Sequence, residues 1–284
     1  MRPRQWIKNG FILIPLVFAQ KVFHVPSLLL SLEAVGVFCL LAGAVYLIND
    51  MVDLNADREH PVKSNRPLAA GLISPRTTKV AAAIILFFSL LWALFIGTGL
   101  FLVLMIYLGV QVSYNCGLKE RVILDIFCVS SGFFLRVIAG AVAIHVAVSH
   151  WLIICTISIS MFLSLAKRRQ ELTLLGQGDA ENHRKVLSEY SPYLLDQMIG
   201  VITATTLLSY MLYCISPQII AKFQTGHLIY TYPFVLYGIF RYLYLIHKKD
   251  QGDSPENVLL TDLPLLASVI LWGVSCILII YRVF

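Results

Sequence analysis

The sequence predicts an all-α polytopic membrane protein of about nine transmembrane helices, and three observations lead there. Charged residues make up 13% of the 284 residues and hydrophobic ones 58%, whereas a soluble domain carries about 25% charged residues. Several apolar stretches approach or exceed the roughly 20 residues that an α-helix needs to cross a bilayer. Lysines and arginines collect on alternating sides of those stretches, as the positive-inside rule expects.

Taken in order, the spans cover about 6–22, 27–49, 79–97, 99–116, 122–145, 150–170, 196–215, 228–247 and 262–283. The first has a short apolar core, Phe11 to Ala19, behind basic residues, a pattern that a signal peptide also shows. With the N-terminus cytoplasmic, that side receives Arg2, Arg4, Lys8, Arg58, Lys63, Arg66, Arg76 and Lys79, then Lys119 and Arg121. It also receives Lys167, Arg168, Arg169, Arg184, Lys185, Lys248 and Lys249, so 17 cations stand against Lys21, Lys222 and Arg282 opposite. Arg136 and Arg241 fall inside helices. Miscounting one helix would scramble this alternation. The orientation expected is therefore that of a multi-pass plasma-membrane protein with its polar working face on the cytoplasmic side.

The net charge of +6 is thereby accounted for by topology, and no nucleic-acid partner is implied. Six cysteines lie singly in or near apolar helices with no CxxC pair, which reads as small buried hydrophobes. The seven histidines show no HExxH or paired spacing, so neither zinc nor a histidine base follows. One domain over residues 1–284 is expected, with its two longest polar loops, about 50–78 and 171–195, on the cytoplasmic side. Chemistry is expected in a cytoplasm-facing cavity where those loops meet.

The first loop opens on "YLINDMVDLNADREHPVKSNRPLAAG". Asn49, Asp53 and Asp57 are spaced i, i+4, i+8, so on a continuous helix they drift only about 40° per step and share a face, with Asp50 beside it. Stacked oxygen donors suit Mg²⁺, a hard cation that takes one or two carboxylates, keeps waters and bridges to substrate phosphates. A solvated helix end with loose ion pairs is the bland reading, but mutual repulsion of the aspartates favours a bound cation. His60-Pro61 ends any helix near residue 59, and Lys63 and Arg66 follow. A chain turned back there uses both signs of charge: Mg²⁺ and basic side chains together neutralise a diphosphate leaving group.

The string Asn49-Asp50-x-x-Asp53-x-x-x-Asp57 resembles the NDxxDxxxD motif of the UbiA superfamily of membrane prenyltransferases. Its continuation through His60-Pro61-x-Lys63-x-x-Arg66-Pro67 to Ala69-Ala70-Gly71 is similar to the branch containing decaprenyl-phosphate phosphoribosyltransferase. "RPRQWIKN" at 2–9, "SYNCGLKERVILDIFCVSSGFFLRVIAGAVA" at 113–143 and "KRRQEL" at 167–172 point the same way. The resemblance implies a UbiA-type helical bundle and an Mg²⁺-dependent transferase. In that branch phosphoribosyl pyrophosphate is the donor, polyprenyl phosphate the acceptor, and pyrophosphate leaves.

Prenyl-transferring members usually carry a second aspartate-rich motif after helix 6. Here that region reads "AKRRQELTLLGQGDAENHRKVLSEY", with Lys167, Arg168 and Arg169 together and only Glu171, Asp179 and Glu181 as nearby acids. A basic second site suits a donor with a 5-phosphate beside its diphosphate and an acceptor with one phosphate more; enforcing topology is the alternative use of these cations.

Arg136 lies well inside helix 5, where a cation costs several kcal/mol unless paired or wetted. A phosphate between Arg136 and Asp125, which lie roughly 16 Å apart by helical rise, and a structural hydrogen bond to backbone carbonyls of a neighbouring helix are equally weighted uses. Tyr114 and Lys119 are candidates for the donor phosphate, or Lys119 a cytoplasmic anchor. Arg2, Arg4, Trp6 and Lys8 form an interfacial belt that holds headgroups or the acceptor phosphate. Two other functions compete: a UbiA enzyme that moves a prenyl chain to an aromatic or lipophilic acceptor, and a transporter, for which no pair of Gly/Pro-broken helices speaks. The sequence leaves the oligomeric state and the acceptor's chain length open.

Overall fold

The computed structural model describes residues 3–59, 63–183, 185–248 and 255–282, with side chains at 5–55, 57–58, 64–173, 186–248 and 257–282. Every regular element among them is helical. A 3-10 segment, Pro3–Leu13, leads into α1 (Ile14–Phe18), α2 (Val25–Val52), α3 (Leu54–Glu59), α4 (Pro75–Ile96), α5 (Thr98–Asn115) and α6 (Leu124–Ala143). Then come α7 (His150–His183), α8 (Lys185–Ser188), α9 (Pro192–Ile215), α10 (Pro217–Phe223), α11 (Tyr232–Lys248), α12 (Pro255–Thr261) and α13 (Leu263–Ile280).

Seven of these are long and apolar enough to cross a bilayer: α2, α4, α5, α6, the His150–Thr173 part of α7, α9 and α13. They coincide with seven of the nine expected spans. The first expected span is instead the 3-10 segment and the short α1, and the eighth is α11, whose 17 residues sit at the lower edge of a crossing. Helices satisfy their backbone donors and acceptors within the segment except in the end turns, which is why lipid admits them.

Helix starts follow from local chemistry. Ser74, Ser191 and Asp262 each accept a backbone N–H three residues on, from Thr77 (3.1 Å), Leu194 (3.1 Å) and Leu265 (2.9 Å), and each cap is followed by a proline in the first turn. A polar acceptor satisfies an orphan donor there, and proline has no N–H to orphan.

The chain falls into two compact units. The first comprises residues 1–16, 21–115 and 135–146. Its core gathers Ile12, Phe38, Leu41, Leu100, Leu104 and Tyr107 with Leu135, Ala139 and Ala143 from the later part of α6. The 3-10 segment lies so close to α6 that a Cβ at Gly140 would stand 2.0 Å from the Ile12 carbonyl oxygen; only glycine admits that approach. Arg136, fully inside this core, is satisfied there: its Nε donates to Asn9 Oδ1 at 2.7 Å, and its guanidinium lies 5.3 Å from the ring centroids of both Phe38 and Tyr107. Cation–π attraction is strongest in such dry surroundings.

The second unit comprises residues 17–20, 116–134 and 147–284. Here α7 packs on α9 and α11 on α13, around Phe162, Leu165, Leu187, Leu195, Tyr242 and Leu245. Arg241, the other cation expected inside a helix, makes a two-pronged pair with Asp262, Nε to Oδ1 at 3.1 Å and Nη2 to Oδ2 at 2.8 Å. Among the cysteines, Cys214 and Cys276 are buried, Cys39, Cys128 and Cys155 half-buried and Cys116 exposed.

Candidate active site

The acidic cluster sits where α2 gives way to α3 in the first unit. The helix is not continuous across it: α2 ends at Val52 and Asp53 is its C-cap. The four-residue pitch nevertheless survives the break, because the Asp53 N–H donates to Asn49 O at 2.9 Å and the Asp57 N–H to Asp53 O at 2.8 Å. Asn49, Asp53 and Asp57 thus remain in register, as the spacing implied.

The chain then turns back as expected, beyond residues 60–62. Arg66 Nη1 reaches Asp50 Oδ1 at 3.1 Å and also pairs with Asp57. Asp57 is buried at 3% exposure, so its charge is held by a cation in a poorly solvated place, where an ion pair is worth more than at the surface. From the end of α5, Asn115 Nδ2 donates to Asn49 Oδ1 at 2.7 Å. Asn49, Asp50 and Asp53 are half-buried. Among the described residues no three His, Cys, Asp or Glu side chains converge as an ion-binding group. The donor set is nonetheless all hard oxygen, and Mg²⁺ needs only one or two carboxylates, so the residues fit that ion by chemistry. The Lys63 side chain lies outside the described residues.

The remaining first-unit candidates are spread along it. Lys8 is half-buried in the 3-10 segment and Tyr114 half-buried near the end of α5, each with a partner. Arg2 lies outside the described residues, as does the Arg4 side chain. Arg136 is held by the Asn9 side chain, Phe38 and Tyr107 rather than by the backbone carbonyls expected, which supports a structural use.

A second polar cluster lies in the second unit. Asp125, with no exposure, opens α6; its Oδ2 is 2.9 Å from Arg168 Nε, and its Oδ1 accepts the Tyr190 hydroxyl at 2.8 Å. Arg168 pairs as well with Glu171, whose other oxygen is 3.9 Å from Lys167 Nζ. Arg169 turns the other way, to Asp196 at 2.6 Å, which also meets His247 Nε2 at 3.2 Å. Burial, together with the neighbouring Asp125, pushes the Tyr190 phenol above its ordinary value, while the hydrogen bond from the Ile123 N–H works against this. Lys119 sits half-buried in the 3-10 turn Leu118–Glu120, with a partner.

Asn115, Asn9, Tyr190 and Asp196 were not singled out by sequence reasoning. Neutral amides and a phenol carry no charge signal, and Asp196 looks like an ordinary acid in a helix's first turns.

Residues 10–279 match the model of the UbiA prenyltransferase family. The chain belongs to that family. The UbiA assignment agrees with relatives of similar length. Decaprenyl-phosphate phosphoribosyltransferase of Corynebacterium glutamicum is 32% identical over 99% of this chain and 85% of its own. The protein of that name in Mycolicibacterium smegmatis is 33% identical over 96% and 88%. A UbiA homolog from Archaeoglobus fulgidus, solved bound to GPP and Mg²⁺, superposes with a TM-score of 0.69 at 16% identity, covering 98% of each chain. That likeness shows the UbiA fold; the family match and the two named relatives make this chain a transferase, and its apolar helices make it an integral-membrane one.

Proposed function

We propose that the chain transfers the 5-phosphoribosyl group from phosphoribosyl pyrophosphate to a polyprenyl phosphate and releases pyrophosphate, at the cytoplasmic face of the plasma membrane. The observation that carries this reading is the cationic character of the second polar cluster. Asp125, Glu171 and Asp196 are each engaged by an arginine. Arg66 engages Asp50 and Asp57 of the first cluster in the same way, so it is the run Lys167, Arg168 and Arg169 that sets the second cluster apart from a metal-binding aspartate pair. Cations dominate instead, which suits substrates with a 5-phosphate and an acceptor phosphate in addition to the diphosphate. The identity to two decaprenyl-phosphate phosphoribosyltransferases over nearly the whole chain supports the same reading.

In this reading Asn49, Asp50, Asp53 and Asp57 hold Mg²⁺, which when bound supplies positive charge to the diphosphate leaving group. Arg66 bridges Asp50 and Asp57 and presents a cation beside them. Lys119, Tyr114 and Lys167 serve the remaining phosphates, with Lys8 toward the lipid; buried Arg168 acts through its pair with Glu171. The acceptor oxygen is already anionic at neutral pH, so positioning rather than deprotonation governs the attack on C1. No catalytic histidine is required.

The test incubates purified protein in nanodiscs with Mg²⁺, labelled phosphoribosyl pyrophosphate and a polyprenyl phosphate, with Asp53→Ala alongside. Label entering the organic phase with wild type and not with the variant is expected. Folded wild type that transfers no label with acceptors of several lengths, yet consumes a prenyl diphosphate, overturns the reading.

A further inference from the structure

Ile123 precedes α6 with φ of 70°, a left-handed conformation that a β-branched residue adopts only under constraint. The constraint comes from Tyr190, far along the chain. Its hydroxyl accepts the Ile123 N–H at 2.6 Å and donates to Asp125 Oδ1 at 2.8 Å. Tyr190 is itself pinned: the ring is 4% exposed, its N–H bonds to Leu187 O at 3.2 Å, and the next residue is the Ser191 cap of α9.

One phenol therefore ties three elements together at the head of the second cluster. Beyond it the chain of contacts runs outward, from Asp125 to buried Arg168, then to Glu171 at 24% and Lys167 at 38% side-chain exposure. The buried members do not face solvent; the outer ones do.

We infer that Tyr190 is a positioning residue for phosphate binding. By holding the strained Ile123 turn and one oxygen of Asp125, it orients Arg168 and, through Arg168, the partly exposed Glu171 and Lys167. This rests on the phosphoribosyl reading above. Tyr190 reaches the rim only through other side chains, so its loss weakens binding of substrate and transition state alike and raises KM more than it lowers kcat.

The experiment measures steady-state transfer from phosphoribosyl pyrophosphate to a polyprenyl phosphate by the full-length protein in nanodiscs. It compares wild type, Tyr190→Phe, and Tyr190→Phe combined with Ile123→Gly. Tyr190→Phe is expected to raise the donor KM about tenfold with kcat within about threefold. Glycine takes φ of 70° without a clamp, so the double variant is expected to recover part of that KM. A purely structural role lowers the thermal midpoint and the folded fraction without moving the KM of folded molecules. Wild-type KM in Tyr190→Phe overturns the inference, as does a loss confined to kcat. Should Tyr190→Phe not fold, the double variant, whose turn needs no clamp, is held to the same KM criterion. Absence of transfer by wild type refutes the underlying reading instead, and is told apart because it shows without any substitution.

Discussion

The side-chain amide of Asn115, at the end of α5, donates to the side-chain oxygen of Asn49, at the start of the acidic cluster, over 2.7 Å. This neutral contact orients the first oxygen donor of the motif from a separate helix. Replacing the donor with an acceptor reverses it. Asn115→Ala is expected to lower transfer about tenfold, the worth of one positioned hydrogen bond, and Asn115→Asp to lower it further. Measuring rate against Mg²⁺ concentration checks the origin: the half-saturating concentration should rise in both.

Arg66 is the shared partner of Asp50 and Asp57. Removing it leaves the buried Asp57 carboxylate without this cation, a loss of about 1 to 3 kcal/mol for an unsatisfied buried group. Arg66→Ala should therefore lower the thermal midpoint in detergent as well as activity. Adding Asp57→Asn should return part of the stability but none of the activity. Stability that does not recover in the double variant would mean that Asp57 is not the group Arg66 protects.

Arg136 tests the difference between a structural and a substrate-binding cation. A lysine cannot present a flat guanidinium to Phe38 and Tyr107 while also donating to Asn9. Arg136→Lys should lower the thermal midpoint by several degrees. The donor KM of the folded fraction should stay at the wild-type value; a rise would place a phosphate on this arginine.

The pH dependence of stability is set partly by Tyr190. Its folded pKa lies above that of the unfolded phenol, so its contribution is complete below about pH 10. Above that the unfolded state loses protons that the folded state keeps, and stability falls as pH rises. Thermal midpoints between pH 8 and 11 should decline less steeply in Tyr190→Phe than in wild type. Equal slopes would mean that the phenol ionises as readily folded as unfolded.

Seven spans were legible in the sequence because hydropathy is summed over a run of neighbouring residues, whereas the capped starts at Ser74 and Ser191 lie ahead of the expected spans, which open near 79 and 196. The pitch of Asn49, Asp53 and Asp57 was legible because it is equally local, and it held even though the helix breaks at Asp53. The short α11 and the 3-10 N-terminal segment were less legible, since composition reports apolarity but not how the backbone coils.

Partner choice belonged to the tertiary structure alone. A cation within an apolar span announces that it must be satisfied; it does not say that the satisfying groups for Arg136 are Asn9, 127 residues away, and two rings. In the same way the run Lys167-Arg168-Arg169 looks like three equivalent charges. Folding separates them, sending Arg168 inward to Asp125 and Arg169 to Asp196. The spacing of residues along a helix is set by the backbone, whereas the pairing of distant side chains depends on which elements pack together, and only the folded chain decides that.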